Sequence, residues 1–307
     1  MNIAMVGAGA MGCLFATLLS PCHRITLYDV ARVTVDSINM RGIRVGEADG
    51  SSEVFRIPAK QSGQDTEKKD LVILFVKASA TRTALAENRV LLGDDTLLLS
   101  LQNGMGNEEI LEEFVPREKI LLGTTRHNSV TTAPAEIFHS GAGVTAIGSP
   151  AGDQAAALRV VDAFRVAGIE TVFSPDTKRL LWEKLFVNMT VNPITALLDK
   201  KIGFIAENAF ARELTRVLIS EAVEVARADG EDFSAEERFA TVIRTAETIS
   251  EGRASMCQDM EEGRPTEIDS INGAVIRLGE KYHIPTVTHS AITRLIHAKE
   301  EIASKSR

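Results

Sequence analysis

Apolar positions along this chain follow two regimes. Up to about residue 174 they gather in short runs set off by glycine, proline and charged residues. Beyond it they recur at helical spacing over long stretches. The short runs predict strands at Asn2–Val6, Arg24–Tyr28, Asp70–Val76 and Thr96–Leu101. The run Asp70–Val76 is apolar without alternation, as a parallel strand covered on both faces requires. Between the first two strands, Leu14, Phe15, Leu18 and Leu19 mark one face of a helix. From Lys119 to Gly148 the pieces shorten to Ile120–Thr125, Ala135–His139 and Val144–Gly148, separated by proline and glycine turns. They predict antiparallel strands appended to the parallel sheet. A helix to about Val166 and a strand at Glu170–Phe173 follow. Ser174-Pro175-Asp176 then reads as a helix start with Asp176 as N-cap. Helices are predicted at about 177–198, 207–229, 234–247, 265–282 and 287–304. The fold class is α/β: a Rossmann-like doubly wound sheet over residues 1–174, followed by an all-α domain over residues 175–307.

The first predicted turn carries chemistry. Gly7-Ala8-Gly9-Ala10-Met11-Gly12 is a G-x-G-x-x-G stretch between a strand and a helix. Gly7 suits the tight turn, Gly9 lets backbone approach a pyrophosphate, and Gly12 lets the helix pack on the strand. The free N–H groups of the helix start, together with its dipole, favour phosphate. A merely glycine-rich turn is the plainer alternative, and the strand–turn–helix context weighs against it. Asp29 ends the second strand, where an acid bonds the ribose 2′-OH and favours NADH. Arg32, three residues on, suits a 2′-phosphate, as do Arg41 and Arg44 if the chain folds back. Lys77 and Asn103 follow strand ends at the edge where doubly wound sheets bind ligands, although a solvated loop also explains Lys77. His127 and His139 lie among turns, where histidines are more often structural than catalytic.

In the second half, Trp182–Pro193 reads WEKLFVNMTVNP. Leu185, Phe186 and Met189 make an apolar stripe, while Lys184, Asn188 and Asn192 stand four and eight residues apart on one face. A cationic proton donor with two carboxamides suits a bound ketone with polar substituents. A solvated face is the competing explanation. Further on, Thr266 reads as an N-cap with Asp269 as an imperfect capping-box partner, which would leave Glu267 a first-turn acid.

Composition narrows the partners. The net charge of −8 argues against nucleic acid and anionic membranes. No run approaches the roughly 20 apolar residues that span a bilayer. Cys13, Cys22 and Cys257 form no metal-ligand spacing, so no metal is expected, and they fit a reducing compartment. No basic leader precedes the first strand, and the expectation is a cytoplasmic protein taking a small-molecule substrate, with a homodimer left open.

Taken in order, these motifs resemble the ketopantoate reductases: the glycine turn, Lys77, Gln102-Asn103-Gly104, Gly123-Thr124-Thr125 with His127, Lys184-x-x-x-Asn188-x-x-x-Asn192-Pro193, Ser255-Met256-x-Gln258-Asp259, and Thr266-Glu267-Ile268-Asp269-x-Ile271-Asn272-Gly273. The resemblance covers nearly the whole chain. It implies an active site in a cleft between the two domains, with Lys184 as proton donor and Glu267 as its partner or a bridge to cofactor. It implies that Asn188, Asn192 and Ser255 hold a 2-keto acid, that Asn103 touches both ligands, and that Lys77 lies cofactor-side. The implied reaction reduces 2-dehydropantoate to pantoate with NADPH, in pantothenate and coenzyme A synthesis. Two positions depart from the family pattern. Ile202 stands where an asparagine is common, which leaves a dehydrogenase of another 2-keto or 3-hydroxy acid as the alternative. Asp29 keeps NADH open beside NADPH. A non-enzymatic dinucleotide sensor would need the glycine turn but not the Lys184 stripe.

Overall fold

The computed structural model describes residues 1–305 and divides into two compact units. The first comprises Met1–Gln102 with Asn107–Leu180. The second comprises Asn103–Gly106 with the chain from Leu181 onward. The division therefore falls beyond the helix start at Asp176, and a four-residue piece of the first half belongs with the second unit.

In chain order the first unit contains β1 (Asn2–Val6), α1 (Ala10–Leu19), β2 (Arg24–Asp29), α2 (Arg32–Arg41), β3 (Ile43–Glu47), β4 (Ser52–Phe55), β5 (Ala59–Gln61) and β6 (Leu71–Leu74). It continues with α3 (Thr81–Glu87), β7 (Leu97–Ser100), α4 (Asn107–Glu112), β8 (Ile120–Thr125), β9 (Asn128–Ala133), β10 (Glu136–Gly141), β11 (Thr145–Gly148), α5 (Gln154–Val166) and β12 (Thr171–Phe173). Eight strands make one sheet in the order β12-β11-β8-β7-β6-β1-β2-β5. All its pairs are parallel except β8 with β11. Every residue of β6 and β7 is buried, which explains their unbroken apolar runs. The strand order reverses direction at β1, so the carboxyl ends of β1, β2 and β6 define the ligand edge of a doubly wound sheet.

The region after Lys119 differs from expectation. Ile120–Thr125 extends the parallel sheet beside β7, and only Thr145–Gly148 joins it antiparallel. Glu136–Gly141 belongs instead to a separate four-stranded sheet, β4-β3-β10-β9. Beneath it, a half-exposed Glu47 and the buried His139 and His127 form a chain: His139 Nδ1 lies 3.1 Å from the Glu47 carboxylate, and His139 Nε2 lies 3.2 Å from His127 Nδ1. Phe15 of α1 meets the His127 ring edge-on at 5.5 Å. Both histidines thus act in packing the second sheet.

The second unit is helical: the bulk of α6 (Thr177–Leu198), then α7 (Phe204–Glu207), α8 (Ala209–Ala228), α9 (Ala235–Thr248), α10 (Ser255–Glu261), α11 (Ile268–Tyr282) and α12 (Val287–Lys305). Its core gathers Trp182, Leu185, Phe186 and Met189 of α6 with apolar residues of α8, α9, α11 and α12. Asp176 caps α6 as expected, accepting from the Arg179 N–H at 2.9 Å. At the other end, Lys299 Nζ donates to the carbonyls of Ala196 at 2.5 Å and Leu197 at 3.0 Å, which suits a cation at a helix C-terminus. No described helix is long and apolar enough to cross a membrane.

Candidate active site

The glycine turn is fixed from both sides. Gly7 adopts φ +104°, open to glycine at little cost, and its N–H donates to the Tyr28 carbonyl of β2 at 2.8 Å. A Cβ on Gly12 would collide with the Gly7 carbonyl, so α1 packs against the turn only because residue 12 has no side chain. A Cβ on Gly9 would meet nothing within 4 Å. Gly9 precedes α1 without a side-chain cap, and Ala10 and Met11 open the helix, leaving first-turn N–H groups for an anion.

Asp29 ends β2 and faces this turn. Its Oδ2 accepts from the Ala8 N–H at 2.7 Å and its Oδ1 from the Ala31 N–H at 2.8 Å. Each oxygen keeps a lone pair for a further donor. Beside it lies a cavity of about 380 Å³, lined by Tyr28, Asp29, Val30, Ser62, Ala80 and Glu87 among others. Turn, helix start, acid and cavity together fit a dinucleotide. Arg32, expected to reach a 2′-phosphate, is exposed and lies 3.5 Å from Asp36 of its own helix. Arg41 donates to the Pro134 carbonyl at 3.0 Å. Lys77 follows β6 by three residues and begins the turn Ala78–Ala80, half-buried.

Gln102 is a residue whose role was not read from the sequence. Its Nε2 donates to the Val76 carbonyl at 2.7 Å and to Thr81 Oγ1 at 2.9 Å, and its Oε1 accepts from Ser100 Oγ at 2.9 Å. It ties the segments after β6 and β7 together at the ligand edge.

In the second unit, α6 presents Lys184, Asn188 and Asn192 on the face away from its buried apolar stripe. Asn192 is buried, while Lys184 and Asn188 are half-buried. Desolvation lowers the Lys184 ammonium pKa to about 8, and the Glu267 carboxylate opposes that shift. Glu267 immediately precedes α11, and its Oε2 accepts from Asn103 Nδ2 at 2.9 Å. The Met105 N–H donates to the Ser270 carbonyl at 2.9 Å, which anchors the Asn103–Gly106 segment to the same helix start. Lys184, Glu267 and Asn103 are therefore brought together from three separate stretches of chain.

Ser255 opens α10 and is exposed. No hydrogen bond among the described residues joins it to that trio. The Thr266–Asp269 capping box does not form: Thr266 Oγ1 accepts from the Ile268 N–H at 3.3 Å, but Asp269 pairs with His297 Nε2 at 3.0 Å. Glu267 is thus held by Asn103 rather than serving only the helix dipole. Ile202 is buried in the helical core, with its N–H on the Gly252 carbonyl at 2.9 Å.

Comparison with known proteins identifies the family. Residues 3–152 match the family described as ketopantoate reductase PanE/ApbA, and residues 176–300 match its C-terminal counterpart. A 2-dehydropantoate 2-reductase of Streptococcus pyogenes is 31% identical over 98% of this chain and 99% of its own. One from Pyrococcus abyssi is 33% identical over 99% of this chain and 100% of its own. Among solved structures, the ternary structure of D-mandelate dehydrogenase with NADH and anilino(oxo)acetate is 31% identical, covers 99% of both chains and superposes with a TM-score of 0.95. With both halves matched and relatives aligned end to end, the chain belongs to the ketopantoate reductase family of oxidoreductases.

Proposed function

We propose that this protein reduces a 2-keto acid, with 2-dehydropantoate the lead substrate, and that Lys184 donates the proton to the carbonyl oxygen. The observation that carries the reading is the Lys184–Glu267–Asn103 group: a desolvated ammonium whose pKa of about 8 lies near neutral pH, beside a carboxylate held by an amide. A bound nicotinamide dinucleotide supplies the hydride. Lys184 stabilises negative charge growing on the oxygen and then transfers its proton there. Asn188 and Asn192, on the same helix face, orient the substrate carboxylate and polar substituents. Glu267 keeps Lys184 charged despite its burial, while Asn103 fixes the Glu267 carboxylate. Ser255, at the exposed start of α10, is assigned to the substrate side. Lys77, Asp29 and the turn Gly7–Gly12 are assigned to the dinucleotide, with the first turn of α1 holding its phosphates.

For the dinucleotide itself the geometry favours NADH over the NADPH common in the family. Asp29 has a free lone pair on each oxygen for ribose hydroxyls, and a 2′-phosphate there would meet a carboxylate. A second reading follows from the likeness to D-mandelate dehydrogenase, seen with NADH and anilino(oxo)acetate: a 2-keto acid with an aryl-bearing substituent.

The test is oxidation of NADH and of NADPH with 2-dehydropantoate and with a panel of aliphatic and aryl 2-keto acids. We expect turnover with NADH at least about tenfold above NADPH in kcat/KM, and a fall of about a hundredfold or more in kcat for Lys184→Ala with dinucleotide binding unchanged. Preference for an aryl keto acid would establish the second reading. Equal turnover by Lys184→Ala would remove lysine as the acid.

A further inference from the structure

The helix that carries Lys184, Asn188 and Asn192 has a proline in its interior, Pro193. A proline removes the N–H that would bond the carbonyl four residues earlier, which here is Met189. That carbonyl lies in the apolar core of the second unit, where an unpaired acceptor is costly. It is not left unpaired: Asn272 Nδ2, from α11, donates to the Met189 carbonyl at 3.0 Å. The second hydrogen of the same amide reaches His289 Nδ1 of α12 at 3.1 Å, and His289 Nε2 lies 3.0 Å from the Leu218 carbonyl of α8. With Nδ1 accepting and Nε2 donating, one neutral imidazole and one carboxamide join four helices. Asn272 and His289 are both wholly buried.

We infer that Asn272 is a positioning residue: it supplies the hydrogen bond that Pro193 denies α6, and so fixes the helix at the point between Asn188 and Asn192. The break in the helical ladder falls in the middle of the polar stripe. Without a partner for Met189, the turn containing Asn192 would be free to tilt relative to the turns containing Lys184 and Asn188. Asn272 holds that turn in one orientation. This role rests on the functional reading of the Lys184 stripe, whereas the hydrogen-bond exchange between Pro193 and Asn272 does not.

A double-mutant cycle tests it, using Pro193→Ala, Asn272→Leu and the two combined. Each is read by melting temperature and by kcat and KM on the best 2-keto acid. In the wild-type background Asn272→Leu is expected to lower kcat about tenfold or more, with KM for the dinucleotide unchanged, because displacements on the ångström scale carry penalties of that order. In the Pro193→Ala background the restored backbone N–H satisfies Met189, and the same substitution should cost only about twofold. Loss of the donor to His289 is common to both backgrounds and cancels. An equal loss of kcat in both would show Asn272 to act by packing alone and would overturn the inference. If Asn272→Leu does not fold, folding of the double variant supports the exchange, and failure of the double overturns it. If the wild-type chain reduced no 2-keto acid at all, the positioning role would fall with the functional reading, and the melting-temperature cycle would still decide whether Pro193 and Asn272 are paired.

Discussion

Lys184 carries two opposed environmental effects, and their balance sets a measurable pH. Burial pulls its pKa down from 10.5 to about 8, while Glu267 pushes it up. In the proposed mechanism keto acid reduction uses the ammonium, so log kcat/KM should fall as pH rises through about 8, and oxidation of the hydroxy acid should rise over the same range. Between about 8 and 10.5 the unfolded chain binds more protons at this lysine than the folded chain does, so its contribution to stability increases with pH there. Glu267→Gln removes the charge that holds the value up, and the alkaline limb of the rate profile should move to lower pH. A limb that stayed in place, or moved upward, would exclude Glu267 as the partner of Lys184. The stripe itself was legible because Lys184, Asn188 and Asn192 keep helical spacing. The bond from Asn103 to Glu267 was not, since 164 residues separate the two and neither segment alone implies the other. Asn272 was visible as part of a motif, but its purpose appears only when the missing N–H of Pro193 is followed to the Met189 carbonyl.

At the scale of elements, the unit β1–turn–α1 separates two jobs that the glycines share. Gly12 is required by the fold, whereas Gly9 is proposed to serve the ligand. Gly9→Ala places a methyl in open space at φ −73°, ψ −172°, a conformation alanine adopts readily. Its melting temperature should match wild type, while Kd for the dinucleotide rises about tenfold or more, a loss of about 1.4 kcal/mol, as the methyl obstructs the pyrophosphate. Gly12→Ala forces a side chain onto the Gly7 carbonyl and should cost about 1–3 kcal/mol of stability before any ligand is added. Calorimetry and dinucleotide titration on both variants would expose the reverse assignment at once. Among the strands of this unit that were legible, β1, β2, β6 and β7 are largely buried and so stand out as apolar stretches, and β8, β11 and β12 were legible too. Those that were missed read poorly for the same reason in reverse: β4 and β9 are largely exposed, and β3 pairs with β10 across some 90 residues. A short polar strand paired at long range leaves almost no local trace.

For the molecule as a whole, each unit has its own core, one around the eight-stranded sheet and one around α6. The change from short apolar runs to helical spacing revealed that there would be two. It did not reveal that Asn103–Gly106 counts with the helical unit, because that depends on the Met105–Ser270 and Asn103–Glu267 bonds rather than on any run of residues. Separate cores imply that a ligand seated on one protects that one first. The residues proposed to hold the dinucleotide, from Gly7 to Asp29 and the cavity beside them, all lie in the first unit. NADH at about 100 times its Kd should therefore add about 2.7 kcal/mol to the openings that disrupt the glycine turn. Hydrogen exchange in β1, α1 and β2 should slow by up to about a hundredfold on that basis, while α8 and α9 keep their rates until a keto acid is added. Equal slowing throughout the chain would show that the two cores open together. No slowing in β1 and α1 would remove the glycine turn as the seat of the dinucleotide, and with it the premise on which hydride transfer by this protein depends.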